Sequence, residues 1–125
     1  MQNEQIKDVI IESYSNIAKN RNIANGCSCS SDSTKNNYAD YSNVNGYKKE
    51  ADLHLGCGLP TEIANIREGD TVVDLGSGAG NDVFVARSIV GERGKVIGVD
   101  MTPEMVSRAI ENNNKLGFKN VEFFH

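Results

Sequence analysis

Thr71-Val72-Val73-Asp74-Leu75-Gly76-Ser77-Gly78-Ala79-Gly80 is the stretch on which the fold turns. Its first five residues form a short β-branched run that reads as a buried strand, and Gly76 to Gly80 form a glycine-rich turn. Asp82 to Val90 then reads as a helix with Val83, Ala86, Ile89 and Val90 on its buried side. Gly91 and Gly94 punctuate, and Lys95 to Val99 is a second strand of the parallel-sheet type. Asp100 stands at its tip. Thr102 is placed to cap a further helix, with Pro103 as its first residue and Glu104 near its positive end. Met105, Val106, Ala109, Ile110 and Leu116 supply that helix's apolar face, Gly117 ends it, and Val121 to Phe124 opens a third strand. The order β-α-β-α-β is one half of a doubly wound α/β sheet.

Glycines are needed in such a turn because a ligand lies against bare backbone, where a Cβ would collide. Asp100 lies twenty-four residues beyond Gly76. At the end of the second strand its two oxygens suit the two hydroxyls of a ribose. The dinucleotide fingerprint G-x-G-x-x-G would need glycine at position 81, where this chain has Asn81. No Gly-Lys-Ser/Thr follows to make a P-loop. Glycines at 76, 78 and 80 with Asp74 and Asp100 fit S-adenosylmethionine, which has a ribose and an amino-acid tail but no pyrophosphate.

Upstream, Ile6, Val9, Ile10, Tyr14 and Ile17 follow one another at spacings of one to four residues, which predicts an amphipathic helix over residues 1–18. Residues 19–46 lose that pattern and are dominated by Asn, Ser, Asp, Lys and Gly, with Cys27 and Cys29 among them, so they read as a mobile segment. A short helical patch is expected over 47–55 and another from Pro60 through Ile66. Residues 47–125 therefore form a partial Rossmann-like domain that stops after its third strand.

Composition narrows the function. The 125 residues carry 13 Lys and Arg against 17 Asp and Glu, a net charge of −4. That balance offers no basic stripe for nucleic acid and no reason to expect an anionic membrane surface. No run approaches the ~18 apolar residues of a membrane span, and Glu4, Asp8 and Glu12 break the pattern of a signal peptide. Three cysteines without a secretory signal read as reduced thiols of a cytoplasmic protein. His54 and His125 match no standard zinc spacing, so no metal site is expected.

Asp74 to Gly80 resembles motif I of the class I S-adenosylmethionine-dependent methyltransferases. With Leu55-Gly56-Cys57-Gly58-Leu59-Pro60 before it and Val96-Ile97-Gly98-Val99-Asp100-Met101-Thr102 after it, the chain resembles the N-terminal portion of the arsenite methyltransferase family over about residues 55–124. That resemblance implies a Rossmann-like methyltransferase fold in which Gly76, Ser77, Gly78 and Gly80 cradle the methionine part of the cofactor. It implies that Asp100 binds the ribose and Met101 packs on the adenine. It implies arsenite as substrate, held by Cys57 and by an upstream thiol, Cys29 or Cys27, with glutathione or thioredoxin as reductant. A soft centre prefers soft sulfur ligands, and its lone pair attacks the donor's methyl in line without a general base. The family's remaining strands and later cysteines lie beyond residue 125. Two other readings stay open: a methyltransferase for another small molecule, and a non-catalytic fragment that binds As(III) or the cofactor.

Overall fold

The computed structural model describes residues 3–20, 40–53, 55 and 58–125. Three strands, β1 (Thr71–Leu75), β2 (Lys95–Val99) and β3 (Val121–Phe124), form a parallel sheet in the order β1-β2-β3. Val72 pairs with Val96 and Val96 with Val121, so three valines sit side by side across the sheet. Two helices make the crossovers, α3 (Asn81–Val90) between β1 and β2 and α4 (Pro103–Leu116) between β2 and β3. Right-handed crossovers that step in one direction put both helices on one face. The core lies there: Val83, Phe84, Ala86 and Val90 of α3 meet Val96 and Val121, with Val72, Leu116, Phe118 and Phe123 around them. Phe84 makes an edge contact with Phe123 at 5.9 Å between ring centroids and a tilted one with Phe118 at 6.2 Å.

The opposite face alternates as a strand must. Val73 and Leu75 on β1 and Phe124 on β3 point away from the helices and are 55%, 79% and 50% exposed. The strand spans match the sequence reading. Helix α3 begins one residue earlier than expected and buries Phe84 and Val85 as well, because it lies between the sheet and the upstream segment.

Four local expectations are corrected. The patch at 47–55 is not a helix but a single 3-10 turn, Lys49–Ala51, with extended residues on either side at Lys48 and Asp52. Ala51 is buried there, and the Tyr47 hydroxyl donates to Asp52 Oδ2 at 3.0 Å across the turn. Helix α2 runs only over Pro60–Ile63, and Asn65 at φ 53° turns the chain out, a conformation Asn tolerates better than most residues. Thr102 holds the cap position of α4 without a side-chain capping bond; its carbonyl instead accepts from the amides of Met105 and Val106. Ile110 is exposed, and Asn112 is buried on the face of α4 expected to be apolar.

Helix α1 (Asn3–Lys19) forms where the periodicity placed it but turns a different face inward. Ser15 and Ala18 are its buried residues, whereas Ile6, Val9, Ile10 and Tyr14 are exposed. It packs along α4 through polar contacts. Ser15 Oγ donates to Glu104 Oε2 at 2.7 Å, Lys19 Nζ lies 3.4 Å from Glu104 Oε1, and Arg108 donates to the Ala18 carbonyl at 2.9 Å. The Arg108 bond takes up one of the carbonyls left open at the end of α1.

Candidate functional site

The turn after β1 is built from backbone that only glycine adopts easily. Gly76, Gly78 and Gly80 have φ of 79°, 54° and 99°. At Gly78 a Cβ would meet nothing within 4 Å, so the space above it is open. At Gly80 a Cβ would stand 2.8 Å from Phe84 Cε2 and 3.0 Å from Phe123 Cζ, so this glycine lets the loop sink onto the core. The turn is tied to the sheet where Gly76 and Ser77 amides both donate to the Val99 carbonyl, at 2.7 and 3.0 Å. Asn112 of α4 supports it from beneath, donating from Nδ2 to the Ala79 carbonyl at 3.2 Å.

Asp100 faces this turn from the tip of β2. Its Oδ2 accepts from the Gly78 amide at 2.9 Å and its Oδ1 from the Thr102 amide at 2.8 Å. Each carboxylate oxygen has two acceptor positions, so one on each remains for an incoming hydroxyl. Met101 follows, 44% exposed, with its carbonyl 3.1 Å from the Nε2 of His125. Ser77 is 7% exposed, and its Oγ has no hydrogen-bond partner. It is packed beside Gly98, where an added Cβ would stand 2.7 Å from it and 2.6 Å from the Phe123 ring.

A hollow of ≈ 120 Å³ opens beside the turn, lined by Gly76 to Ala79, Asn81, Asp82 and Met105 together with Ala51, Asp52, Leu53 and Leu55. Ligand pockets usually measure ~300–1,000 Å³. This one therefore has room for only part of a cofactor-sized ligand.

The electrostatics are one-signed. Burial, with Asp82 and Asp100 nearby, pushes the Asp74 carboxyl up to about 6. Asp82 is also raised, chiefly by burial and further by Asp52, with the hydrogen bond from Tyr41 opposing. Carboxylates that resist sharing negative charge gain from a cation placed among them. A methionine end bearing an ammonium and a sulfonium meets that requirement.

The structure thus brings together Asp74, Gly76, Ser77, Gly78, Gly80, Asp100 and Met101 at one end of the sheet. Cys27, Cys29, Cys57 and His54 lie outside the described residues. Among the described residues no three His, Cys, Asp or Glu side chains gather to hold a metal, and no helix is long and apolar enough to cross a membrane. Sequence reasoning missed Tyr41, Asp52, Asp82 and Asn112. Asp82 had a signal, as an acid in the first turn of the helix after the glycines. The other three act across 30 to 60 residues of chain and had none.

Residues 66–124 match the family model described as a methyltransferase domain. That match covers just under half of the chain and gives it a methyltransferase domain of the S-adenosylmethionine-dependent kind, with S-adenosylmethionine as cofactor. The chain is 41% identical to the arsenite methyltransferase of Halobacterium salinarum over 96% of its own length and 34% of that protein's. It is also 43% identical to protein-L-isoaspartate O-methyltransferase 2 of Archaeoglobus fulgidus, over 49% of this chain and 28% of that protein. Among solved structures it is similar to an S-adenosylmethionine-dependent methyltransferase from Aquifex aeolicus, at 45% identity over 52% of this chain and 35% of that one, with a TM-score of 0.49. The chain spans about a third of the length of these curated relatives.

Proposed function

We propose that this chain is the cofactor-binding part of an arsenite methyltransferase serving arsenic detoxification in the cytoplasm. The observation that carries the reading is a glycine turn with open space above Gly78, facing Asp100, in a chain similar over 96% of its length to an arsenite methyltransferase. The residues present suit S-adenosylmethionine. The turn leaves room above its backbone, Asp52 and Asp82 line the hollow as the place for a cationic end, and Asp74 lies near Asp82. When bound, that cofactor supplies an electrophilic methyl group.

The chain's own residues do the holding. Asp100 takes the ribose hydroxyls on its two remaining acceptor positions while keeping the Gly78 and Thr102 amides. Met101 offers a flat apolar contact for the adenine. Cys57 and Cys29, with Cys27 as the alternative upstream thiol, are the ligands for As(III). The ends of the segment that carries Cys27 and Cys29 support this. Lys19 is tied to Glu104 at the start of α4, and Tyr41 is tied to Asp82 at the start of α3, so both ends are anchored on the rim that holds the glycine turn. The reaction on this reading needs alignment and exclusion of water rather than a base. Glutathione or thioredoxin would return the thiols to their reduced form.

Incubation with arsenite, a thiol reductant and S-adenosylmethionine tests the reading. Methylated arsenic, and protection of Cys57 from alkylation by arsenite, are the expected results. Bound donor with an unprotected, dispensable Cys57 would move the substrate to another small molecule.

A further inference from the structure

Tyr41 is 2% exposed and lies outside the glycine turn in sequence, yet it reaches the site. Its hydroxyl stands 2.8 Å from Asp82 Oδ1 and 2.6 Å from the carbonyl oxygen of Gly58. Its ring stacks on Tyr47 at 6.3 Å between centroids and 21° between planes. Tyr47 in turn donates to Asp52 Oδ2 at 3.0 Å. Asp82 and Asp52 both line the hollow. One stacked aromatic pair therefore holds both acids and pins the backbone at Gly58.

We propose that Tyr41 is a positioning residue of the donor site, tying Asp82 and the Gly58 backbone together so that the wall of the hollow keeps its shape. The proposal rests on the reading of the hollow as the place for the donor's cationic end. A phenol suits the role because its ring supplies rigid packing while its oxygen keeps a polar handle in a buried place. The hydroxyl has one hydrogen and faces two acceptors, so it is shared between them. Burial beside Asp82, with Asp52 and Asp74 near, pushes the Tyr41 hydroxyl well above its ordinary range and keeps it protonated as a donor. The titratable groups that face Asp82 are Tyr41, Asp52 and Asp74. Removing the hydroxyl takes a donor from the Asp82 carboxylate, which makes Asp82 easier to protonate. A cationic ligand that needs the carboxylate ionised is then lost at a higher pH.

The test compares the full chain with Tyr41→Phe, which keeps the ring and its stack. Affinity for S-adenosylmethionine is measured by calorimetry across pH, and amide exchange is followed in the peptide around residues 58–62. The expected result is roughly tenfold weaker binding near neutral pH, an acid limb displaced to higher pH, and faster exchange at Glu62, whose amide donates to the Leu59 carbonyl next to the tethered Gly58. Tyr47→Phe, which removes a bond to Asp52 and none to Asp82 or Gly58, should leave exchange at Glu62 near that of the unaltered chain, and Asp82→Asn combined with Tyr41→Phe should bind no worse than Asp82→Asn alone. Unchanged exchange in a folded Tyr41→Phe chain overturns the tether. Faster exchange with unchanged affinity and pH profile overturns its positioning role. An unaltered chain that binds no donor at any pH contradicts the reading of the hollow itself, and with it the role of Tyr41 toward a donor.

Discussion

Helices α3 and α1 carry comparable numbers of apolar residues and use them in opposite ways. Val83, Phe84, Val85, Ala86 and Val90 of α3 are all buried, because the helix lies between the sheet and the upstream segment. The Ser88 hydroxyl adds to that contact by lying 3.0 Å from the Asn45 carbonyl. On α1 most of the apolar stripe faces outward, and the helix is held by Ser15, Lys19 and the Arg108 bond to Ala18. The difference separates two kinds of stability. The βαβ unit is held by apolar burial that local sequence pattern foretells. The upstream helix is held by polar contacts, each of which contributes a net ~0.5–1.5 kcal/mol.

Substitutions should expose that difference. Phe84→Ala removes a ring packed against Phe118 and Phe123, and urea unfolding should show a loss of ~3–5 kcal/mol. Gly80→Ala combines a strained φ with a close approach to the same Phe84 ring. It should lower stability by ~2–4 kcal/mol in the same assay, where Gly58→Ala, with no atom within 4 Å of its added methyl, should not. Arg108→Ala should cost about 1 kcal/mol and speed amide exchange at the end of α1 while leaving β1 and β2 protected. Val9→Ala, at 60% exposure, should stay within about 0.5 kcal/mol of the unaltered chain. A large loss at Val9 would show that the outward face of α1 is covered in solution.

A pH series sharpens the same contrast. Asp74 is raised from 3.8 to about 6 by burial and neighbouring acids, so the folded chain binds its proton more tightly than the unfolded chain does. Its contribution to stability is fully present below about pH 4 and is lost as pH rises through 6. Glu104 is shifted the other way, downward, by the Ser15 hydroxyl and by Lys19. Its contribution is present above its ordinary range and is lost as pH falls. Asp74→Asn should therefore reduce the dependence of unfolding on pH between 4 and 6, leaving the part that belongs to Asp82, and an unchanged slope would contradict the raised value.

The halves of the molecule also differed in how far they could be read from sequence. The three strand spans, the extent of α4 and the glycine turn were legible because alternation, proline at the first helical position and glycine at the C-cap are local signals. The face of α1 was not legible, since Ser15 and Ala18 are buried by a partner, α4, some ninety residues away. Residues 47–55 looked helical, but Tyr47 and Asp52 close a turn on each other and Ala51 sinks into the core. At the site the turn and Asp100 were visible. Tyr41 and Asn112 were not, because nothing in a polar segment or on a helix face announces a bond to a distant carbonyl.

The measurement closest to the central claim is calorimetric titration of the chain with S-adenosylmethionine, beside Asp100→Ala. The account predicts one site per chain, with affinity reduced by roughly tenfold or more in the variant, since Asp100 holds both the ribose and the Gly78 amide. Equal affinity in the two chains, or no binding to the unaltered one, would contradict it.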